Sequence, residues 1–245
     1  MPWTLSLNST EKTVADWGFS HLRRRLVSQA ADEFSLVCDG AAADALSPLV
    51  PFQSILTLRR DRHQDASGNW IGGTIWFQGI VTQLPRHGSP GAESNTCRVA
   101  GPWWYLENRV FEKTFNILDH LAKPGDLSSA VYVQKSFSHS FLYIGPTQAF
   151  SQFNMITTGA QIVEALDWAL KPFVDVSLPP PFQIGSVTPD LHVPFAEIRD
   201  LTCAEVIRMA LRWSPDAVTW FDYSTNPPTF HCQTRSALPV VSLSL

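Results

Sequence analysis

The chain has 245 residues, 18 Lys and Arg against 22 Asp and Glu, a formal net charge of −4, and charged and hydrophobic fractions of 16% and 44%. That length allows one large domain or two small ones, burying roughly 70–75% of the unfolded surface without disulfides or metals. The hydrophobic content excludes wholesale disorder and the sign of the charge disfavours a nucleic-acid binder driven by bulk charge, while a charged fraction well under the ~25% of an average soluble domain leaves surface to share with partners.

In chain order, the start, MPWTLSLNSTEKTVADWG, has no basic region followed by an apolar one, so no signal peptide is expected. No run approaches about 18 apolar residues, so no membrane span is expected either, and the chain is expected to be made and folded in a cytoplasm. Residues 1–110 read as β. His21-Leu22-Arg23-Arg24-Arg25-Leu26 is the basic run of note; it is short, with Asp32 and Glu33 close behind, and fits a strand or turn lining a subunit interface better than a nucleic-acid patch. Phe34, Leu36 and Cys38 alternate with Ser35, Val37 and Asp39, a period-2 strand pattern. Ile55–Leu58, running into Arg59-Arg60-Asp61-Arg62, and Trp70–Leu84 flank a turn at 65–69 and read as a hairpin. Gly72-Gly73 and Gly79 suggest the bulges or bends that close a small sheet into a barrel. Thr96–Ala100 is a further strand ending at Gly101-Pro102, and Trp103–Asn108 reads as a short helix with Pro just before it.

Beyond residue 110 the pattern becomes mixed. Strand-like segments recur at 130–135 and 141–144, with a turn at Pro124-Gly125. Thr158-Gly159-Ala160-Gln161 has the form of a capping box before an apolar stripe that Pro172 should stop. Thr202-Cys203-Ala204-Glu205 repeats the design, followed by Val206, Ile207, Ala210 and Trp213, with Ser214-Pro215 as the stop. Leu178-Pro179-Pro180-Pro181-Phe182 reads as a stiff connector, and Val218–Tyr223 with Thr229–Gln233 as a β-hairpin. The expected fold is a β-rich α+β one: a small N-terminal β-barrel over residues 1–110, then an α+β domain over 111–245 with two capped helices and a hairpin.

Motifs of known chemistry are missing. No nucleophile elbow, zinc-protease helix, phosphate loop or dinucleotide fingerprint occurs. Asp119-His120 with Ser136 or Ser138 is a triad on paper only, since sequence order says nothing about geometry. Cys38, Cys97, Cys203 and Cys232 form no C-x-x-C pair and match no zinc spacing, which reads as buried thiols. His231 and Cys232 are strand neighbours on opposite faces, so they cannot share a metal without a bulge. No catalytic residue, cofactor or metal is expected. Nine Trp and fifteen Phe suit core and interface anchors, or sugar-stacking platforms.

The run Trp76-Phe77-Gln78-Gly79-Ile80-Val81, followed after a turn by Val99-Ala100-Gly101-Pro102-Trp103-Trp104-Tyr105-Leu106, resembles the N-terminal barrel of phage tail hub (baseplate hub) proteins, whose fold is shared with type VI secretion spike proteins. The helix from Thr158, Val193-Pro194-Phe195, the capped helix from Thr202 and the hairpin Trp220–Cys232 match the α+β segment that follows in that family. The resemblance implies a homotrimeric ring at the phage tail tip, with a tail tube or distal tail protein and a spike or fibre as partners. Phage DNA would pass through its channel without sequence-specific binding. It implies a virion location and no catalysis from this part; hub proteins usually continue well beyond this length. Structural or interface roles are then expected for Trp103 and Trp104, for Arg23, Arg24 and Arg25, and for Val241, Leu243 and Leu245 on one face of a terminal strand. That strand would pair within its own subunit, with a neighbouring subunit or with a continuation of the chain. The competing class is a carbohydrate-binding or other cell-surface binding module, which would need exposed aromatics beside polar loop residues.

Overall fold

The computed structural model describes residues 3–7, 10–39, 54–83, 86–87, 94–112, 115–119, 131–135, 138–139, 157–175, 179–191, 197–198 and 200–238. The chain divides into two compact units. One comprises Met1–Trp104 with Pro181–Gln183 and Trp220–Phe230; the other comprises Tyr105–Pro180, Ile184–Thr219 and His231–Leu245.

The first unit is built on β1 (Thr4–Leu7), β2 (Thr10–Thr13), β3 (Phe19–Arg25), β4 (Glu33–Asp39), β5 (Ile55–Gln64), β6 (Trp70–Gln83), β7 (Arg86–His87) and β8 (Ser94–Ala100). The antiparallel sheet runs β2-β1-β5-β6-β8-β4-β3, with β7 on β8. The alternation read from the sequence is the burial pattern observed: Phe34, Leu36 and Cys38 are buried, as are Leu56, Leu58, Phe77, Val81, Cys97 and Val99. In the β5–β6 turn, Asp65 Oδ1 accepts from Ser67 N at 2.9 Å and Asn69 N at 2.8 Å, the short-range Asx chemistry that makes such turns. Gly72 and Gly73 bend β6 at φ of 68° and 81°, a region other residues rarely enter.

The class is strand-rich α+β, as expected, but no closed barrel is found: among the described residues no ladder joins β2 to β3. The sheet is nevertheless curled. Laid flat, six gaps of about 4.8 Å would hold β2 about 29 Å from β3. Residues 14–18 join them, and Phe19 N–H donates to Val14 O at 3.1 Å. Trp17 turns into the unit there, its Nε1 donating to Leu5 O at 2.9 Å, and is 7% exposed. Where β2 faces the β5–β6 hairpin, Arg62 grips Glu11 with Nε and Nη2 at 2.9 and 2.7 Å, the bidentate geometry of a strong ion pair.

In the second unit, β9 (Phe115–Asp119) pairs with β10 (Val131–Lys135), and β11 (Ser138–His139) with β13 (Glu197–Ile198). A further three-stranded sheet, not confined to that unit, runs from β12 (Gln183–Val187) to β15 (Thr229–Thr234) to β14 (Ala217–Asp222). Cys232 is buried, and His231 on the opposite face accepts from Ser186 N at 3.1 Å.

Among the described residues the α-helices are α1 (Trp103–Glu107), α2 (Thr158–Asp175) and α3 (Cys203–Leu211). The capping box of α3 forms as read: Thr202 Oγ1 accepts from Glu205 N, and Glu205 Oε2 accepts from Thr202 N at 2.7 Å. Trp213 lies past its end and is 50% exposed; Leu211 takes the buried place. α2 departs from expectation twice. Its cap is Thr157, whose Oγ1 accepts from Ala160 N at 3.2 Å, while Thr158 instead donates to Leu191 O. Pro172 lies inside the helix rather than ending it; so near the C-terminus it forfeits one hydrogen bond, and Phe173 beyond it packs edge-on against Tyr105 at 5.6 Å. The segment 141–144, Pro124-Gly125, Val193-Pro194-Phe195 and the terminal strand with Val241, Leu243 and Leu245 lie outside the described residues.

Candidate functional site

Two features of the first unit grow from one strand, β3, and its register with β4. Arg24 stands opposite Phe34, which is buried, whereas Arg23 and Arg25 stand opposite Ser35 and Glu33 on the outer face. Strand alternation therefore sends one arginine inward and two outward.

The inward side is a hydrogen-bonded cluster. The Arg24 guanidinium lies 4.4 Å from the centre of the Trp76 ring and 5.9 Å from that of Tyr223, and Nη1 donates to Trp76 O. Tyr223 Oη donates to Asp32 Oδ2 at 2.7 Å, and Val27 N donates to Asp32 Oδ1 at 2.8 Å. Tyr223 also stacks on Phe77 at 5.0 Å. Burial pushes the Asp32 carboxyl above its ordinary range; the bonds from Tyr223 and Val27 and the Arg24 charge oppose this without reversing it. Burial likewise lowers the Arg24 value, and burial, then the Asp32 charge and hydrogen bond, raise that of Tyr223. Gly101 seals the cluster. Its N–H donates to Asp32 O at 2.7 Å, and a methyl group there would lie 2.5 Å from Tyr223 Oη.

The outward side is a cavity of about 520 Å³. Arg23 and Arg25 from β3, Glu33 and Ser35 from β4, Arg98 from β8 and Thr82 and Gln83 from β6 line it, with Trp104 at one wall. Ladder register explains the convergence: Arg23 pairs with Ser35, Ser35 with Arg98 and Arg98 with Gln83.

No family model matches the chain, and no curated protein matches it. Solved structures do, two prophage tail proteins among them. The 43 kDa tail protein of prophage MuSo2 from Shewanella oneidensis superposes with a TM-score of 0.53 at 12% identity, covering 100% of this chain and 57% of that one. The tail protein from Neisseria meningitidis MC58 gives 0.50 at 10% identity, over 98% of this chain and 52% of that one. The fold is that of prophage tail proteins. The chain spans little more than half the length of either.

Within that tail-protein fold, Trp103 is 2% exposed, 6.2 Å from Phe230, and Trp104 is half-buried at the cavity wall. Arg23, Arg25 and Trp104 thus meet at one cavity, while Arg24 belongs to the buried cluster. Arg98, Asp32 and Tyr223 escape sequence reasoning, because only strand register and a hairpin far along the chain bring them to β3.

Among the described residues, no three His, Cys, Asp or Glu converge as a metal set, and no helix is long and apolar enough to cross a membrane. All four cysteines are buried and outside any disulfide; burial pushes the Cys97, Cys203 and Cys232 thiols up to about 12, far from the thiolate form that reacts. His120 and Ser136 lie outside the described residues.

Proposed function

We propose that this chain is a structural subunit of a phage or prophage tail tip, part of the hub ring that joins the tail tube to the spike or fibre and gates DNA passage. The observation that carries the reading is the fold shared with the MuSo2 tail protein over the whole chain. In this reading residues 1–110 form the hub barrel and 111–245 the α+β domain. The curled sheet favours a barrel, since the short connection 14–18, closed by the Phe19 N–H to Val14 O bond, already brings the ends of β2 and β3 together and closure needs only a ladder between them.

The partners are two further copies in a homotrimer, a tail tube or distal tail protein, and a spike or fibre. DNA passes through without sequence-specific contacts. Trp103 and Trp104 anchor the segment leaving the barrel, Arg23 and Arg25 contribute to the outward surface, and Val241, Leu243 and Leu245 form a strand that pairs between subunits. The chain adds no catalysis and no cofactor; it is assembled in the bacterial cytoplasm and carried in the virion. The test is an image of the assembled particle with this chain labelled. Three copies at the tail tip are expected; a label absent from the tip overturns the reading.

A further inference from the structure

The outer face of β3, β4, β8 and β6 holds a compact set of cations. Arg23 and Arg98 flank Ser35 in one cross-strand row, which sets their Cα atoms about 10 Å apart, and Arg25 lies about 7 Å along β3 from Arg23. All three side chains line the same cavity of about 520 Å³. Three arginines against Glu33 leave a formal +2 there, in a chain whose net charge is −4. Glu33 neutralises little of it: its 3.9 Å contact with Arg25 joins side chains that are 67% and 66% exposed, and such pairs are weak. Among the described residues neither Arg23 nor Arg98 has an ion pair.

We propose that this cavity binds a phosphate monoester carried on a small polyol, such as a sugar phosphate. A phosphate monoester carries about −1.5 to −2 at neutral pH and several strong acceptor oxygens, which matches the +2. Guanidinium forks bind such oxygens in pairs. Ser35, Thr82 and Gln83 add neutral hydrogen-bonding groups for hydroxyls, and Trp104 supplies an aromatic wall. The volume lies within the ~300–1,000 Å³ of small-molecule sites, far more than a bare phosphate fills. A single carboxylate would leave a formal +1 uncompensated. A nucleic-acid strand needs a cationic track along its backbone, and Arg62 on the neighbouring hairpin is already committed to Glu11 at 2.7 Å.

The test is calorimetric titration of the full chain with glucose 6-phosphate, with glucose, and with a twelve-residue thymidine oligonucleotide. Saturable binding of glucose 6-phosphate is expected with a Kd of about 0.1–1 mM, the affinity of an open charged site. Glucose alone should show none. Arg98→Ala and Arg23→Ala, checked for unchanged melting, should each weaken binding by about tenfold or more, while Arg60→Ala on the hairpin stays within about twofold. Failure to bind glucose 6-phosphate at about 10 mM, or parental affinity in both cavity variants, overturns the proposal. So does oligonucleotide binding through the same arginines at least about tenfold tighter, which would make the face a nucleic-acid surface.

Discussion

The inner and outer faces of β3 put identical side chains to opposite uses. Arg24, inward, lies over the Trp76 and Tyr223 rings and donates to a backbone carbonyl. Arg23 and Arg25, one residue to either side, line the outer cavity. The difference is one of unspent capacity. Aromatic faces and a carbonyl occupy Arg24, so its charge is tied to the fold, whereas the outer pair keep donors for something that arrives later. Position on the pleat, and not residue type, decides between structure and recognition.

The inner face should show the largest losses. Tyr223→Ala should cost about 3–5 kcal/mol, as large aromatic truncations do, read as a fall in the urea midpoint. Tyr223→Phe, which removes only the donor to Asp32, should cost about 1–3 kcal/mol. If the two variants are equally mild, the cluster is not what holds Tyr223. Gly101→Ala comes next: a methyl group 2.5 Å from Tyr223 Oη and 3.0 Å from Asp32 Cβ should cost about 1–3 kcal/mol by overpacking. A variant as stable as the parent would show that the cluster shifts freely.

Acid acts on two carboxyls with opposite signs. For Glu11, burial pushes upward, but hydrogen bonds from Arg62 and Thr4 and the charges of Arg62 and Arg59 outweigh it and leave the carboxyl below its ordinary 4.5. Its contribution is present above that value and lost as pH falls through the lowered one. Asp32 lies above its ordinary 3.8, so its contribution is fully present below 3.8 and lost as pH rises through the raised value. In urea melts from about pH 3 to 7, Glu11→Gln should therefore flatten the loss of stability in acid, and Asp32→Asn should steepen it. Identical slopes in both variants would contradict the assignment. The smallest effect belongs to the outer face: Arg23→Ala and Arg98→Ala should each stay within about 0.5 kcal/mol of the parent, and a larger loss would mean those arginines are structural after all.

Local patterns made much of the fold legible. Phe34-x-Leu36-x-Cys38 marked β4, turn chemistry marked the β5–β6 hairpin, and Thr202 with Glu205 marked the start of α3, because each depends on neighbours within a few residues. β1 and β2 carry too few residues for a period to show. The cap of α2 moved by one residue because Thr158 finds a better acceptor in Leu191 O, 33 positions away. Closure of the first sheet is not legible in this way, since glycines signal bends but not whether the end strands pair. The candidate site was half legible: the arginine run stood out, but Arg98 joins it only through the register of three strands.

The bond from Tyr223 to Asp32 spans 191 positions, and this bears on how the protein is born. At about 5–20 residues per second, a ribosome needs roughly 10–40 s to travel from one to the other. Through that interval the carboxylate has no phenol to meet and Phe77 lacks the Tyr223 ring that stacks on it. The N-terminal sheet therefore waits unfinished while most of the chain is still being made, with apolar surface of the kind that chaperones recognise.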